Sequence, residues 1–195
     1  ILSEIDGVPK ENIIIEPSGK STAPSIGLAA VHLLADDPEA VMGVFPADHL
    51  IVGHRAFSNA LSVGRQLAES EEMLTTLGVV PASAHTGYGY IQFDKNRPFL
   101  DNRAFGVKTF AEKPTAAAAK RFIASGDFFW NSGMFVWKAK AFLEAMEVNM
   151  PIHYEIMTKI GEAVGTRRYK STLEAEWDNF TSESIDYGIL EQAKN

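Results

Sequence analysis

Asp48 follows an apolar run, Val41-Met42-Gly43-Val44-Phe45, that reads as a buried strand. Pro46 cannot donate to a sheet ladder, so the strand should end near Phe45 and leave the acid just past its carboxyl end. In open α/β sheets ligands bind at that rim, and a carboxylate there suits a divalent metal acting on phosphates. The same acid could cap a turn or the next helix, and on this stretch alone capping is the favoured role. His49, its neighbour, is placed to orient it.

Three further stretches carry groups suited to phosphates or polyols. Glu112-Lys113-Pro114 sets an acid and a base at the end of a strand. Neighbours on a strand face opposite sides, so both can reach one ligand only where the strand is ending. Pro114 forces that end and biases Lys113 towards an extended backbone. Lysine suits a phosphate as a point charge, and glutamate accepts from sugar hydroxyls. The competing role is a solvated pair before a helix. Gly87-Tyr88-Gly89 lets a sugar or base approach the backbone, or is a plain tight turn. Trp130-Asn131-Ser132-Gly133 puts amide and hydroxyl groups beside an aromatic ring, and also reads as a turn.

Gly19-Lys20-Ser21-Thr22 looks like the end of a phosphate-binding loop, but the first glycine of that motif would fall at Ile14, inside an apolar run. A helix N-terminus there can still meet a nucleotide or an anion. The five histidines show no metal-ligand spacing, and no Ser/His/Asp nucleophile set is visible.

The elements that must position these groups alternate. Asn12 to Glu16 reads as a buried strand, Thr22 caps a helix with Pro24 in its first turn, and Val41 to Phe45 completes a βαβ unit. Arg55 to Ser70 reads as a helix, and Met73 to Val80 as a strand ended by Pro81. A strand follows His85 to Gly89, Lys95 to Arg103 is polar loop, and Val107 to Ala111 is a strand. Thr115 caps a helix that Gly126 ends. Met134 to Trp137 is a strand, Lys138 to Asn149 a helix, and Pro151 starts another. Arg167 to Asp178 is charged and carries no clear period, and Ser184 opens a closing helix over 185–193. Ile1, Leu2 and Ile5 resemble the last turn of a helix, and the expectation is a fragment cut at both ends. No linker divides the chain, so residues 1–195 are read as one α/β domain with a mixed, mostly parallel sheet and helices on both faces.

Composition bounds the function. A net charge of −7 argues against nucleic-acid or anionic-membrane partners, while leaving room for a small anionic substrate. The absence of cysteine excludes disulfides and thiolate zinc sites and allows a reducing compartment without proving one; the expected location is cytoplasmic. No apolar run reaches membrane-spanning length.

Taken in order, Glu16-Pro17-Ser18-Gly19-Lys20-Ser21-Thr22-Ala23-Pro24, Pro46-Ala47-Asp48-His49, Thr86-Gly87-Tyr88-Gly89-Tyr90-Ile91, Glu112-Lys113-Pro114, Trp130-Asn131-Ser132-Gly133-Met134-Phe135 and Ser184-Ile185-Asp186-Tyr187 resemble the bacterial mannose-1-phosphate guanylyltransferases, or GDP-mannose pyrophosphorylases. The resemblance covers essentially the whole chain. It implies a Rossmann-like nucleotide-diphospho-sugar transferase fold, with GTP and mannose 1-phosphate as substrates, GDP-mannose and pyrophosphate as products, and Mg2+ as cofactor. It implies that Asp48 binds magnesium and Lys113 holds the sugar phosphate. Glu112, Asn131 and the Gly89 backbone would contact the sugar, and Gly19 to Thr22 would lie near the nucleobase. Ser21 stands where many members have asparagine, and Asp186 belongs to a family motif without an assigned role.

The resemblance also implies two segments outside these residues: a Gly-x-Gly-Thr-Arg type phosphate cradle before Ile1, and a Trp-x-Asp-x-Gly-Ser-Trp type segment with a second metal aspartate after Asn195. Residues 1–195 alone are therefore expected not to turn over, and to self-associate through an exposed strand edge. Two alternatives remain open: a sister enzyme using another base or hexose, and a non-catalytic nucleotide-sugar-binding module. A homo-oligomer is allowed by the sequence and not indicated by it.

Overall fold

The computed structural model describes residues 7–71 and 73–193. The helix end expected at Ile1, Leu2 and Ile5 lies outside them. Five strands form one sheet: β1 (Val41–Val44), β2 (Thr75–Val79), β3 (Tyr90–Phe99), β4 (Ala104–Ala111) and β5 (Phe128–Lys138). Among the described residues six α-helices accompany them: α1 (Thr22–Asp36), α2 (His54–Glu71), α3 (Ala116–Ser125), α4 (Ala139–Asn149), α5 (Pro151–Ala163) and α6 (Tyr169–Trp177). A π-helical turn, Asp186–Leu190, follows. No helix among the described residues is long and apolar enough to cross a membrane.

β5 is the spine of the sheet. Its side chains alternate, so Phe135 and Trp137 point to one face and Met134 and Val136 to the other. On the first face Trp137 stacks on Phe135 and on Phe142 of α4, with ring centroids 5.0 and 5.5 Å apart. Buried residues of α1, α5 and α6, among them Leu28, Met157 and Trp177, complete this core. A fully buried aromatic such as Phe142 is worth about 3–5 kcal/mol against alanine. On the other face α2 lies so close that a methyl on Gly64 would stand 3.1 Å from Val136. Helices thus cover both faces, as expected.

The strand registers reveal a split in the sheet. Phe135 is paired with Val44 of β1 and with Thr76 of β2, and Trp130 with Val79 of β2 and with Tyr90 of β3. β2 therefore runs along one edge of β5, while β1 and β3 follow one another along the opposite edge. Between them the middle of β5, residues 131–134, has no strand beside it on that edge. β1 ends at this gap and β3 begins at it. The gap coincides with a bulge, where the register of β2 against β5 slips between Thr76 and Gly78. Gly133 adopts φ +70°, which a residue with a side chain adopts only under strain. Ser132 Oγ bridges the slip by donating to Leu77 O at 2.6 Å and accepting from Met134 N–H at 3.1 Å.

Several expectations are corrected. Every strand pairing among the described residues is antiparallel, so the sheet is not mostly parallel. The parallel reading rested on a strand at 12–16, but among the described residues Ile13 to Glu16 have no neighbouring strand to supply a ladder, and Ile15 is 74% exposed. The βαβ unit is accordingly absent. Residues 95–99 continue β3 into a hairpin with β4, its turn made by Leu100, Asp101 and Asn102, all at positive φ. Asn131 to Gly133 is not a turn but the bulge within continuous β5. Thr22 does not cap α1; its Oγ1 accepts from Ile185 N–H at 2.9 Å. Residues 169–177 form α6, held by burial of Leu173 and Trp177. The expected cap at Thr115 is present, accepting from Ala118 N–H at 3.3 Å, and Gly126 ends α3 in the left-handed conformation.

Candidate active site

Four of the residues singled out in the sequence converge at the split. The Asn131 N–H donates to Gly89 O at 2.8 Å, pinning the chain ahead of β3 to β5. A Cβ on Gly89 would collide with Glu112 Oε2 and stand 3.3 Å from Asn131 Cβ. Close approach of the Glu112 carboxylate thus explains a residue without a side chain at position 89. Glu112 follows β4 directly, and its side chain is only 11% exposed. Lys113 Nζ lies 3.2 Å from Glu112 Oε1, which holds the lysine above its ordinary pKa. Lys113 is not extended as Pro114 had suggested; its φ is +43°. This left-handed step folds the chain back and brings both side chains to one place.

Asp186 completes the cluster. Its Oδ1 accepts from Asn131 Nδ2 at 3.0 Å. Burial, with the nearby Glu112 charge adding to it, raises the Asp186 carboxyl above the usual aspartate range. Asn131 Oδ1 accepts twice, from Thr76 Oγ1 and from Gly133 N–H, each at 3.1 Å. The sequence marked Asp186 as part of Ser184-Ile185-Asp186-Tyr187, without a role. It offered no hint of Thr76. Beside the cluster the Tyr88 ring lies between His85 and Trp130, at centroid distances of 4.4 and 4.9 Å, forming an aromatic wall next to Gly89.

Gly19 lies in a loop that leads into Thr22, the first residue of α1, and residues 177–185 clamp this stretch. Trp177 Nε1 donates to Ser18 O at 2.7 Å, Lys20 Nζ to Asp178 O at 3.3 Å, and Glu183 N–H to Lys20 O at 3.2 Å. Ser21 is held at φ +68° and ψ −171°, a region nearly reserved for glycine. The Thr22 bond to Ile185 joins this loop to the residue preceding Asp186. Gly19 is open, with no atom within 4 Å of where its Cβ would stand.

Asp48 stands apart from the cluster. Its side chain is 87% exposed and lies 3.3 Å from His49 Nδ1. Two residues before it, Pro46 Cγ would be 3.4 Å from a Cβ on Gly133, so the exit of β1 rests against the bulge. Among the described residues no group of three or more histidine and acidic side chains is gathered to hold a metal. Magnesium commonly binds one or two carboxylates together with substrate phosphates, and Asp48 is an exposed carboxylate of that kind, whereas Asp186 is engaged by Asn131.

The family model for nucleotidyl transferase matches residues 2–179. The chain belongs to the nucleotidyl transferase family. Among similar proteins, the mannose-1-phosphate guanylyltransferase RfbM of Salmonella typhimurium is 36% identical over 197 residues, spanning 100% of this chain and 40% of that protein. The mannose-1-phosphate guanylyltransferase of Escherichia coli is 37% identical over 93% of this chain and 39% of its own length. The chain thus spans about two-fifths of the curated relatives it matches. Among solved structures, a Thermus thermophilus protein described as a mannose-1-phosphate geranyltransferase superposes with TM-score 0.80 at 28% identity, covering 93% of this chain and 50% of that one. A Helicobacter pylori protein described as a mannose-6-phosphate isomerase gives TM-score 0.76 at 30% identity, covering 92% and 68%.

Proposed function

We propose that this chain forms the sugar-phosphate side of a mannose-1-phosphate guanylyltransferase. In that reaction a phosphate oxygen of mannose 1-phosphate attacks the α-phosphorus of GTP. The bond from that phosphorus to the oxygen bridging to the β-phosphate breaks, and pyrophosphate leaves with the electron pair. The observation that carries the reading is the convergence of Gly89, Glu112, Lys113 and Asn131 at the split. It offers one cation for a phosphate and a set of hydrogen-bonding groups for sugar hydroxyls, on a chain of this family.

Phosphoryl-type transfer depends on positioning and charge neutralisation more than on covalent help from the protein. Lys113 neutralises the sugar phosphate and Glu112 accepts from a sugar hydroxyl. Asn131 donates to a sugar oxygen, and the Gly89 backbone leaves room for the ring. The Gly19–Thr22 loop, with open space above Gly19, is the proposed neighbour of the nucleobase. Asp48 would hold magnesium, which when bound supplies positive charge against the triphosphate. A cytoplasmic location, which a cysteine-free chain allows, is part of this reading. The test is product analysis by the protein containing this chain, given mannose 1-phosphate with GTP, dTTP or UTP and magnesium. GDP-mannose formed in clear preference supports the reading; preference for another base assigns a sister enzyme, and no nucleotide sugar from any of them defeats it.

A further inference from the structure

We propose that Thr76 is a positioning residue of this site: its hydroxyl fixes the side-chain amide of Asn131, so that a bound ligand meets only a donor there. Thr76 lies on β2, on the far side of β5 from Gly89 and β3. By register it pairs with Phe135, four residues from Asn131, and the bulge at Ser132 to Met134 takes up the difference. That compression lets Thr76 Oγ1 reach Asn131 Oδ1 at 3.1 Å, where Gly133 N–H arrives at the same distance.

A carbonyl oxygen has two acceptor positions, and both are filled from the protein. The amide nitrogen has two protons, and only one of them, to Asp186 Oδ1 at 3.0 Å, is used. The remaining proton is the polar group that Asn131 can offer a ligand. The ligand atom it meets must therefore be an acceptor, such as a hydroxyl or phosphate oxygen. A flipped amide would set Oδ1 against the Asp186 carboxylate and its NH2 against the Gly133 N–H. Gly133 N–H and Asp186 set that orientation from opposite ends, and Thr76, whose hydroxyl can donate or accept, fills the second acceptor position of Oδ1 and anchors it in place. Without Thr76, the oxygen keeps one partner and the orientation loosens, although nothing that touches the ligand has been removed.

The kinetic arm rests on the guanylyltransferase reading, and the spectroscopic arm does not. In the protein containing this chain, Thr76→Val keeps shape and strand preference while deleting the hydroxyl. It should raise KM for mannose 1-phosphate roughly 3- to 10-fold, the effect of one neutral hydrogen bond, with KM for GTP changed less than about twofold. Thr76→Ser should restore the wild-type value. In an Asn131→Ala background Thr76→Val should have almost no further effect, because a residue acting through Asn131 has nothing left to orient. An undiminished Thr76→Val penalty in that background, equal losses for both substrates, or failure of serine to rescue would each overturn the proposal. Independently, the Asn131 side-chain NH2 resonances should shift in Thr76→Val and return in Thr76→Ser. Unchanged resonances overturn the proposal whatever the reaction proves to be. Should Thr76→Val fail to fold, Thr76→Ala takes its place in both arms.

Discussion

Lys113 Nζ lies 3.2 Å from Glu112 Oε1, although adjacent residues on a strand point to opposite faces. The pair meets because Lys113 leaves the strand at φ +43°. A lysine gains nothing in stability from that conformation, which glycine adopts freely. The strain is therefore tied to what the two side chains do together.

Replacing Lys113 separates those roles. Lys113→Ala should lower kcat/KM for mannose 1-phosphate roughly 10- to 150-fold, the effect of one charged hydrogen bond, with a smaller change for GTP. Lys113→Gly should lose the same activity yet raise Tm by about 2–4 °C, because the left-handed step no longer costs anything. Calorimetry and steady-state kinetics on both variants check this. A Tm for Lys113→Gly at or below that of Lys113→Ala would show that the positive φ carries no strain.

Gly89→Ala should damage the site without touching a charged group. The added methyl collides with Glu112 Oε2, and the backbone cannot retreat because Gly89 O holds the Asn131 N–H at 2.8 Å. Glu112 must then swing away from Lys113. Overpacking of this kind costs about 1–3 kcal/mol. Sugar-phosphate affinity, read by titration calorimetry, should fall roughly 5- to 150-fold where that cost is met on binding. Wild-type affinity in a folded Gly89→Ala protein would mean that Glu112 is not held against the backbone at this position.

Asp48→Asn tests the metal role from the opposite direction. The side chain is exposed and supports no packing, so Tm should stay within about a degree, as for most surface substitutions. Activity should nevertheless collapse at limiting magnesium and recover only in part at high magnesium. Full activity at limiting magnesium would remove Asp48 from the metal site.

How far the sequence could be read differs from one group to the next. Thr115 and Gly126 mark the ends of α3 because capping is local chemistry. The end of β1 before Pro46 and the placing of Glu112 and Lys113 after a strand were legible for the same reason. Strand direction was not. Ile13 to Ile15 look as strand-like as Val41 to Val44, and only a partner decides which run joins the sheet. Asn131 to Gly133 carry turn residues, yet the flanking aromatic runs keep β5 continuous and turn the break into a bulge. Thr76 and Asp186 each meet Asn131 across 55 positions, long-range contacts that no local pattern encodes.

Away from the site, His32 gives the fold a pH dependence. Its Nε2 is 2.7 Å from the Tyr169 hydroxyl, and burial between α1 and α6 pushes its pKa below the ordinary value, against a smaller opposing pull from Asp36. An unfolded histidine, with a pKa of about 6.5, binds protons in a range where the folded one does not. Stability from this group is complete above about pH 6.5 and is lost as pH falls through the lower folded pKa. Urea unfolding across pH 5–8 should show the decline below about 6.5, and His32→Gln should flatten that part of the curve. An unchanged slope in His32→Gln would assign the dependence to another group.

The clamp on the Gly19–Thr22 loop has a consequence in time. Its anchors stand 159 positions away at Trp177 and 163 at Ile185. A ribosome adding about 5–20 residues per second needs roughly 8–32 s to travel from one side of the clamp to the other. Throughout that interval the helix that begins at Thr22 can form, but the loop ahead of it has nothing to close against. Contacts of such long range also make folding slow once the chain is complete. Nascent chains stalled before residue 177 should therefore carry this loop open to proteases, and chains released beyond residue 186 should protect it.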